Sequence, residues 1–234
     1  MSFFDRDKDI EEIVSKWTEQ YLFNNKKYFS GEYIRNTDIQ LQKSGVDIIL
    51  KSHEIFKDNK YHNIDEKSAT SYIKTSLKES NIPTFAFELD YKNKDNNSRN
   101  DGWLFGKQFD KTEYYLISWI WADIPMKNGG RFGKTSEVTF NNILKAKLFL
   151  ISKKDMHHYL KGIKVTRRNF NIISEKIRRL GETKIIIPRG NPNRTPNIQY
   201  SEHLEEKPVN VVISEYKLKQ LSIKTWEIES VINN

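Results

Sequence analysis

The hydrophobic period of this chain changes early, and that change limits what it can fold into. Over residues 7–23, Ile10, Ile13, Val14, Trp17 and Tyr21 recur at helical spacing with charges between them. That pattern predicts an amphipathic helix, started by Asp7 or Asp9. Residues 24–36 are polar and read as a loop or short helix. From residue 38 the spacing becomes strand-like. Residues 38–50 read as a strand broken at Ser44-Gly45, followed after Ile55-Phe56 by a polar turn, Lys57-Asp58-Asn59-Lys60, and a second strand from Tyr61 to Lys67. Strand, polar turn and strand make a hairpin. Residues 71–80 read as a short helix. Thr84–Lys92 alternates strictly, with Phe85, Phe87, Leu89 and Tyr91 on one side and Ala86, Glu88, Asp90 and Lys92 on the other. Gly102–Phe105 and Tyr114–Ile124 give two more strands, the second apolar enough to be central. Helices and strands that each carry one apolar face must share a core in layers, so the chain is of α/β (α+β) class.

The second half changes character. Lys145–Ser152 reads as a strand. Asp155 starts a helix to about Lys161, and Thr166 a second over 167–180, striped by Phe170, Ile173, Ile177 and Leu180 and ended by Gly181. Ile185–Ile187 and Val209–Ile213 read as strands, 188–200 as a Pro/Asn/Arg loop, and 215–221 as a short helix. The expected division is 1–152, a core, and 153–234, a basic helical lobe with a closing strand packed in the same domain.

The formal charge of +8 hides two unlike parts. Residues 126–200 hold 17 Lys/Arg against 4 Asp/Glu, while the remainder holds 22 against 27. A basic segment on a slightly acidic body suits an anionic partner bound by one part of the surface. Cys is absent, which excludes disulfides, thiolate metal sites and a thiol nucleophile. No apolar run is long enough to span a membrane. The acidic start, MSFFDRDKDIEEI, is unlike a signal peptide, so a cytoplasmic protein is expected.

The hairpin carries the chemistry. Asp47 opens its first strand. Asp65 and Lys67 lie two apart on its second, so both side chains leave one face. Folding the hairpin brings Asp47 beside Asp65. Two close carboxylates are costly unless a cation neutralises them. Mg²⁺ does so with few protein ligands and keeps several waters. A neighbouring lysine can orient a water or stabilise charge on a phosphate. Together these groups suit metal-assisted phosphodiester hydrolysis.

The order helix, strand with Asp47, hairpin, Ile64-Asp65-Glu66-Lys67, helix, strand resembles the PD-(D/E)XK nuclease superfamily over roughly residues 8–124. The resemblance implies a restriction-endonuclease-like core, a central mixed sheet flanked by helices. It implies a Mg²⁺-dependent DNA endonuclease, with Mn²⁺ as substitute metal, of the kind that includes type II restriction enzymes. Asp47, Asp65 and the backbone carbonyl of Glu66 would hold the metal, and Lys67 would position the attacking water. Many such enzymes cut double-stranded DNA as homodimers. Gly45-Val46 stands where the name-giving motif has Pro, and the second acid is Asp, the less usual choice. Glu88 is the expected auxiliary acid, ahead of Glu32, and Gln40 and Gln42 lie close upstream. Asp90-Tyr91-Lys92 is a rival Asp-x-Lys, disfavoured because it runs into a polar loop.

DNA contacts are expected from Arg131 and Lys134 in a Gly-rich loop, from Arg167, Arg168, Arg178 and Arg179 around the second helix, and from Arg189 and Arg194 in the loop after it. Phosphate contacts position a duplex and base contacts choose sequence. The alternative function is a non-catalytic nucleic-acid-binding protein of the same fold.

Overall fold

A computed structural model describes residues 3–93, 98–128, 130, 132–181, 183–186 and 196–230. The chain opens with α1 (Phe3–Thr18), which runs on into a π-helical turn, Glu19–Phe23. Next come β1 (Glu32–Arg35), α2 (Ile39–Lys43), β2 (Ile48–Lys51), α3 (His53–Phe56) and β3 (His62–Ser68). A 3₁₀ turn, Thr70–Tyr72, leads to β4 (Thr84–Lys92), β5 (Arg99–Asp101), β6 (Tyr114–Ala122) and β7 (Ile143–Ser152). Then follow α4 (Lys153–Gly162), α5 (Phe170–Leu180), β8 (Lys184–Ile186), β9 (Asn197–Tyr200), β10 (Val209–Ser214), α6 (Glu215–Leu221) and β11 (Ser222–Glu229).

The strands form two sheets. The first has the order β1-β2-β3-β6-β7-β11 and is mixed, because β3 and β6 run parallel and every other neighbouring pair is antiparallel. The second is antiparallel, β5-β4-β10-β9-β8. β6 is buried on both faces from Tyr115 to Ala122, which explains its unbroken apolar run. Leu116, Ile120 and Ala122 meet Ile10, Val14 and Trp17 of α1. Tyr115, Ile117 and Trp119 meet Phe85, Phe87 and Leu89 of β4, backed by Met156, Leu160, Phe170 and Ile177 from α4 and α5. Each fully buried aliphatic side chain in these cores contributes about 1.5–3 kcal/mol. The molecule is therefore a mixed α/β protein whose central sheet is covered by α1 on one side and by the second sheet with α4, α5 and α6 on the other.

The early helix, the hairpin, β4 and β6 match the sequence expectation. Several elements differ. Residues 39–43 are a helical turn rather than part of a strand. The Asp38 carboxylate accepts the backbone N–H groups of Gln40 and Leu41 at 2.7 and 3.2 Å, and this cap overrides the alternation. Residues 71–80 form no helix beyond the 3₁₀ turn. The segment instead extends β3 along β6, with Lys74 N–H bonded to Ile120 O and Ala122 N–H to Lys74 O. Gly102–Phe105 is a turn, closed by Gly106 N–H to Gly102 O at 2.9 Å. β1 lies in the stretch read as loop, and β11 follows a helix where no strand was expected.

The segment after residue 152 is not a helical lobe. It supplies β8–β11, and β10 lies between β4 and β9, while β11 pairs with β7. Strands from both sides of the expected division complete each sheet.

Candidate active site

Asp47 stands just before β2, where its backbone N–H donates to Ile64 O of β3 at 3.0 Å. That bond sets the register that places Asp47 beside Asp65. The Asp47 Oδ2 atom accepts the Glu66 backbone N–H at 2.8 Å. Asp65 is fully buried, and Lys67 Nζ forms an ion pair with its Oδ1. Lys67 Nζ also donates to the Glu66 carbonyl at 3.2 Å. The structure thus brings together Asp47, Asp65, Lys67 and the Glu66 backbone on the face of β3 that looks toward the second sheet. The Lys67 side chain is 24% exposed, so the cluster is open to solvent through the lysine.

The electrostatics follow from the crowding. Burial, with the Asp65 charge adding to it, pushes the Asp47 carboxyl up to about 7 against the pull of Lys67 and the Glu66 N–H. Lys67 is pushed up by the Asp65 and Asp47 charges, which outweigh its burial. Asp65 Oδ2 is buried and has no hydrogen-bond partner. It faces Gly45, whose φ of +75° no β-carbon residue adopts easily. An orphan carboxylate oxygen beside a carboxyl with a raised pKa is satisfied by a shared proton or by a cation.

Glu88 on β4 lies close enough to the cluster to feel the Lys67 charge. It is pushed up to about 7, by burial first and then by Glu206 and Asp90, with Lys67 opposing. Gly102 lets the next turn pack closely on β4, since a β-carbon there would lie 2.5 Å from the Glu88 carbonyl oxygen. The turn that follows carries Trp103 over Lys67, with Nζ 5.7 Å from the ring centroid. Trp103 is half-buried at the site, whereas Trp119 and Trp121 are core. Lys153, at the start of α4, lies near enough to feel the Asp65 charge and donates to Phe109 O at 2.5 Å. Neither Trp103 nor Lys153 carries a local sequence signal, because the turn and the start of α4 meet β3 only through tertiary packing.

Other expected neighbours lie elsewhere. Glu32 is exposed and paired with Lys51 at 2.8 Å, away from the acids. Gln40 and Gln42 are exposed on α2. In the rival motif, Asp90 is fully buried between Arg99 Nε at 3.2 Å and Arg178 Nη2 at 2.6 Å, so its charge is already matched. Arg178 is accordingly a buried partner of Asp90, not an exposed DNA contact. Arg167 is exposed and pairs with Asp110 at 2.9 Å, Arg168 and Arg179 are exposed, and Lys134 is half-buried. Arg131, Arg189 and Arg194 lie outside the described residues.

Asp47 Oδ1, Asp65 Oδ2 and the Glu66 carbonyl could together offer a hard cation a small oxygen set. Among the described residues no cluster of three or more His, Cys, Asp or Glu side chains is arranged to hold a metal. Two carboxylates and a carbonyl fit Mg²⁺, which retains waters, better than a cation needing a full protein cage. Among the described residues no helix is long and apolar enough to cross a membrane. In comparisons with known proteins, no family model, no curated protein and no solved structure gives a significant match.

Proposed function

We propose that this protein is a Mg²⁺-dependent DNA endonuclease with a restriction-endonuclease-like core, in its narrowest form a type II restriction endonuclease. The observation that carries the reading is the meeting of Asp47, Asp65 and Lys67 across β2 and β3, with Asp65 Oδ2 unpartnered. The helix α1, the β1-β2-β3 meander and the parallel pairing of β3 with β6 support it as a frame. The resemblance assigns Mg²⁺ to Asp47, Asp65 and the Glu66 carbonyl. The ion, when bound, supplies Lewis-acid stabilisation of charge on the phosphate and lowers the pKa of a water.

This chain's own residues have separable roles in that reading. Asp65, fixed by Lys67, keeps one buried oxygen without a hydrogen-bond partner. Asp47 is aimed by the Glu66 N–H. Lys67 is the cation of the site, able to orient a water and to meet a phosphate oxygen. Glu88 holds or releases a proton near neutral pH, close enough to feel the Lys67 charge. Arg167, at the entry to α5, lies close enough to Lys153 for its positive charge to oppose the effect of Asp65 there.

Incubation with supercoiled plasmid and Mg²⁺ tests the reading. Linear or nicked product is expected from the native protein, with a loss of about 100-fold or more in Asp65→Asn and Lys67→Ala. Cleavage that persists unchanged in both variants sinks the site. The second reading, a nucleic-acid-binding protein without catalysis, is favoured by one observation, the Lys67–Asp65 ion pair that already neutralises the acid. It predicts salt-sensitive DNA retention and no nicking.

A further inference from the structure

We infer that Arg35 is a positioning residue that sets the geometry of the acidic site from the opposite face of the sheet. Arg35 ends β1 and pairs in register with Ile48, the residue after Asp47. Its Nε forms an ion pair with Glu19 and its Nη1 one with Glu66. The same Nη1 donates to the Asp47 backbone carbonyl at 3.4 Å. Ser15 of α1 donates a second bond to Glu66 Oε2 at 3.0 Å. One guanidinium therefore touches the backbone of one acid and the side chain of the residue that lies between the other acid and the lysine.

The link to the site runs through Glu66. Its side chain points to α1 and is held by Arg35 and Ser15. Its backbone N–H points toward the segment before β2 and donates to Asp47 Oδ2. Holding the side chain fixes the Glu66 Cα, from which two peptide units extend, one carrying the N–H and the other the Glu66 carbonyl. The fork of an arginine suits this task, because two carboxylates and a carbonyl must be met from one rigid plane. The π-helical turn contributes the far anchor. It begins at Glu19, and π turns are rare and recur at functional sites. The three side chains are 15–26% exposed, so the network is shielded from solvent more than a surface pair is. A small cavity between α1 and β3, lined by Ser15, Thr18, Glu66, Ser68 and Ser118, adjoins the Glu66 side chain.

Arg35 does not touch the reacting side of the sheet, so its effect on metal rests on the nuclease reading, while its effect on the Glu66–Asp47 bond does not. The test uses the full chain with Arg35→Lys and with the double variant Arg35→Met/Glu66→Leu. The double variant removes both charges and so avoids leaving one buried alone. Amide hydrogen exchange at position 66 and Mn²⁺ affinity, read from the free-ion EPR signal, are measured beside thermal stability. In both variants the amide at position 66 is expected to exchange about tenfold faster or more, with Ile64 and Leu116 unchanged. Mn²⁺ binding is expected to weaken about tenfold, as it does when an outer partner of a metal ligand is lost. Native exchange at position 66 in the double variant overturns the inference, whether or not Arg35→Lys folds. A native protein that binds no Mn²⁺ overturns the metal reading alone, and the exchange result still decides the role of Arg35.

Discussion

Asp47 Oδ2 accepts the backbone N–H of Glu66 at 2.8 Å, so the first acid is fastened to the strand that carries the second. The two carboxyls cannot drift apart to relieve their repulsion, and Lys67 is the group that offsets it. Lys67→Met is expected to destabilise the protein by about 1–3 kcal/mol at pH 8. The loss is expected to shrink at pH 5, where Asp47 is protonated. Urea unfolding at the two pH values checks this, and an equal loss at both would falsify the coupling.

Glu88 gives the folded state a pH signature. Its ordinary value is 4.5 and the folded value is about 7. Between those values the folded chain binds more protons than the unfolded one, so stability falls as pH rises through the window. The contribution is complete below 4.5 and gone above 7. Glu88→Gln cannot lose a proton. Its Tm minus that of the native protein is therefore expected to rise from pH 5 to pH 8, by about 3 °C for each 1 kcal/mol. A difference that stays flat across that range counts against the buried position of Glu88.

The Asp90 clamp makes a structural prediction that also separates the two Asp-x-Lys motifs. Asp90→Asn leaves Arg99 and Arg178 without their shared carboxylate, and a loss of about 3–5 kcal/mol is expected. Lys92→Ala is expected to change stability by less than about 0.5 kcal/mol. In the plasmid assay Lys92→Ala should cut like the native protein while Lys67→Ala does not. A reversed pattern moves the site to β4.

Gly45 bounds the site below Asp65. An added β-carbon there meets Thr112 Oγ1 at 2.4 Å and Asp65 Oδ2 at 3.2 Å, at a φ of +75°. Gly45→Ala is expected to cost about 1–3 kcal/mol, from strain and from the lost bond between Thr112 and the Gly45 carbonyl. Thermal unfolding checks the size. A Gly45→Ala protein as stable as the native one is inconsistent with the left-handed turn.

The residues that carry the proposed chemistry were legible because they lie close together in sequence and obey a two-residue period. Asp65 and Lys67 share a face on any strand, and the polar turn at 57–60 brings Asp47 back toward them. Glu88 was readable as a polar position on an apolar strand, though nothing local says that β4 joins a second sheet. Residues 39–43 misled because the Asp38 cap competes with alternation over a few residues. Residues 71–80 misled because Lys74 pairs with β6, a contact invisible from spacing. Arg178 looked like an exposed cation, since a helix face does not announce that Asp90 lies beneath it. Arg35, Ser15 and Glu19 carry no motif at all. Their joint role exists only once α1, β1 and β3 are packed together.

The place of β10 has a consequence for when the site comes into being. β4, which bears Glu88, is flanked in its sheet by β5, a strand of three residues, and by β10, which begins more than 100 residues later. A growing chain that has left the ribosome only as far as β9 exposes one edge of β4 and cannot bury the core that seats it. The hairpin with Asp47, Asp65 and Lys67 forms early from neighbouring segments, whereas its opposing wall waits for the last strands. Pairings of such long range are slow to form. A cell making this protein is thereby given an interval in which the acids exist but the enclosure around them does not.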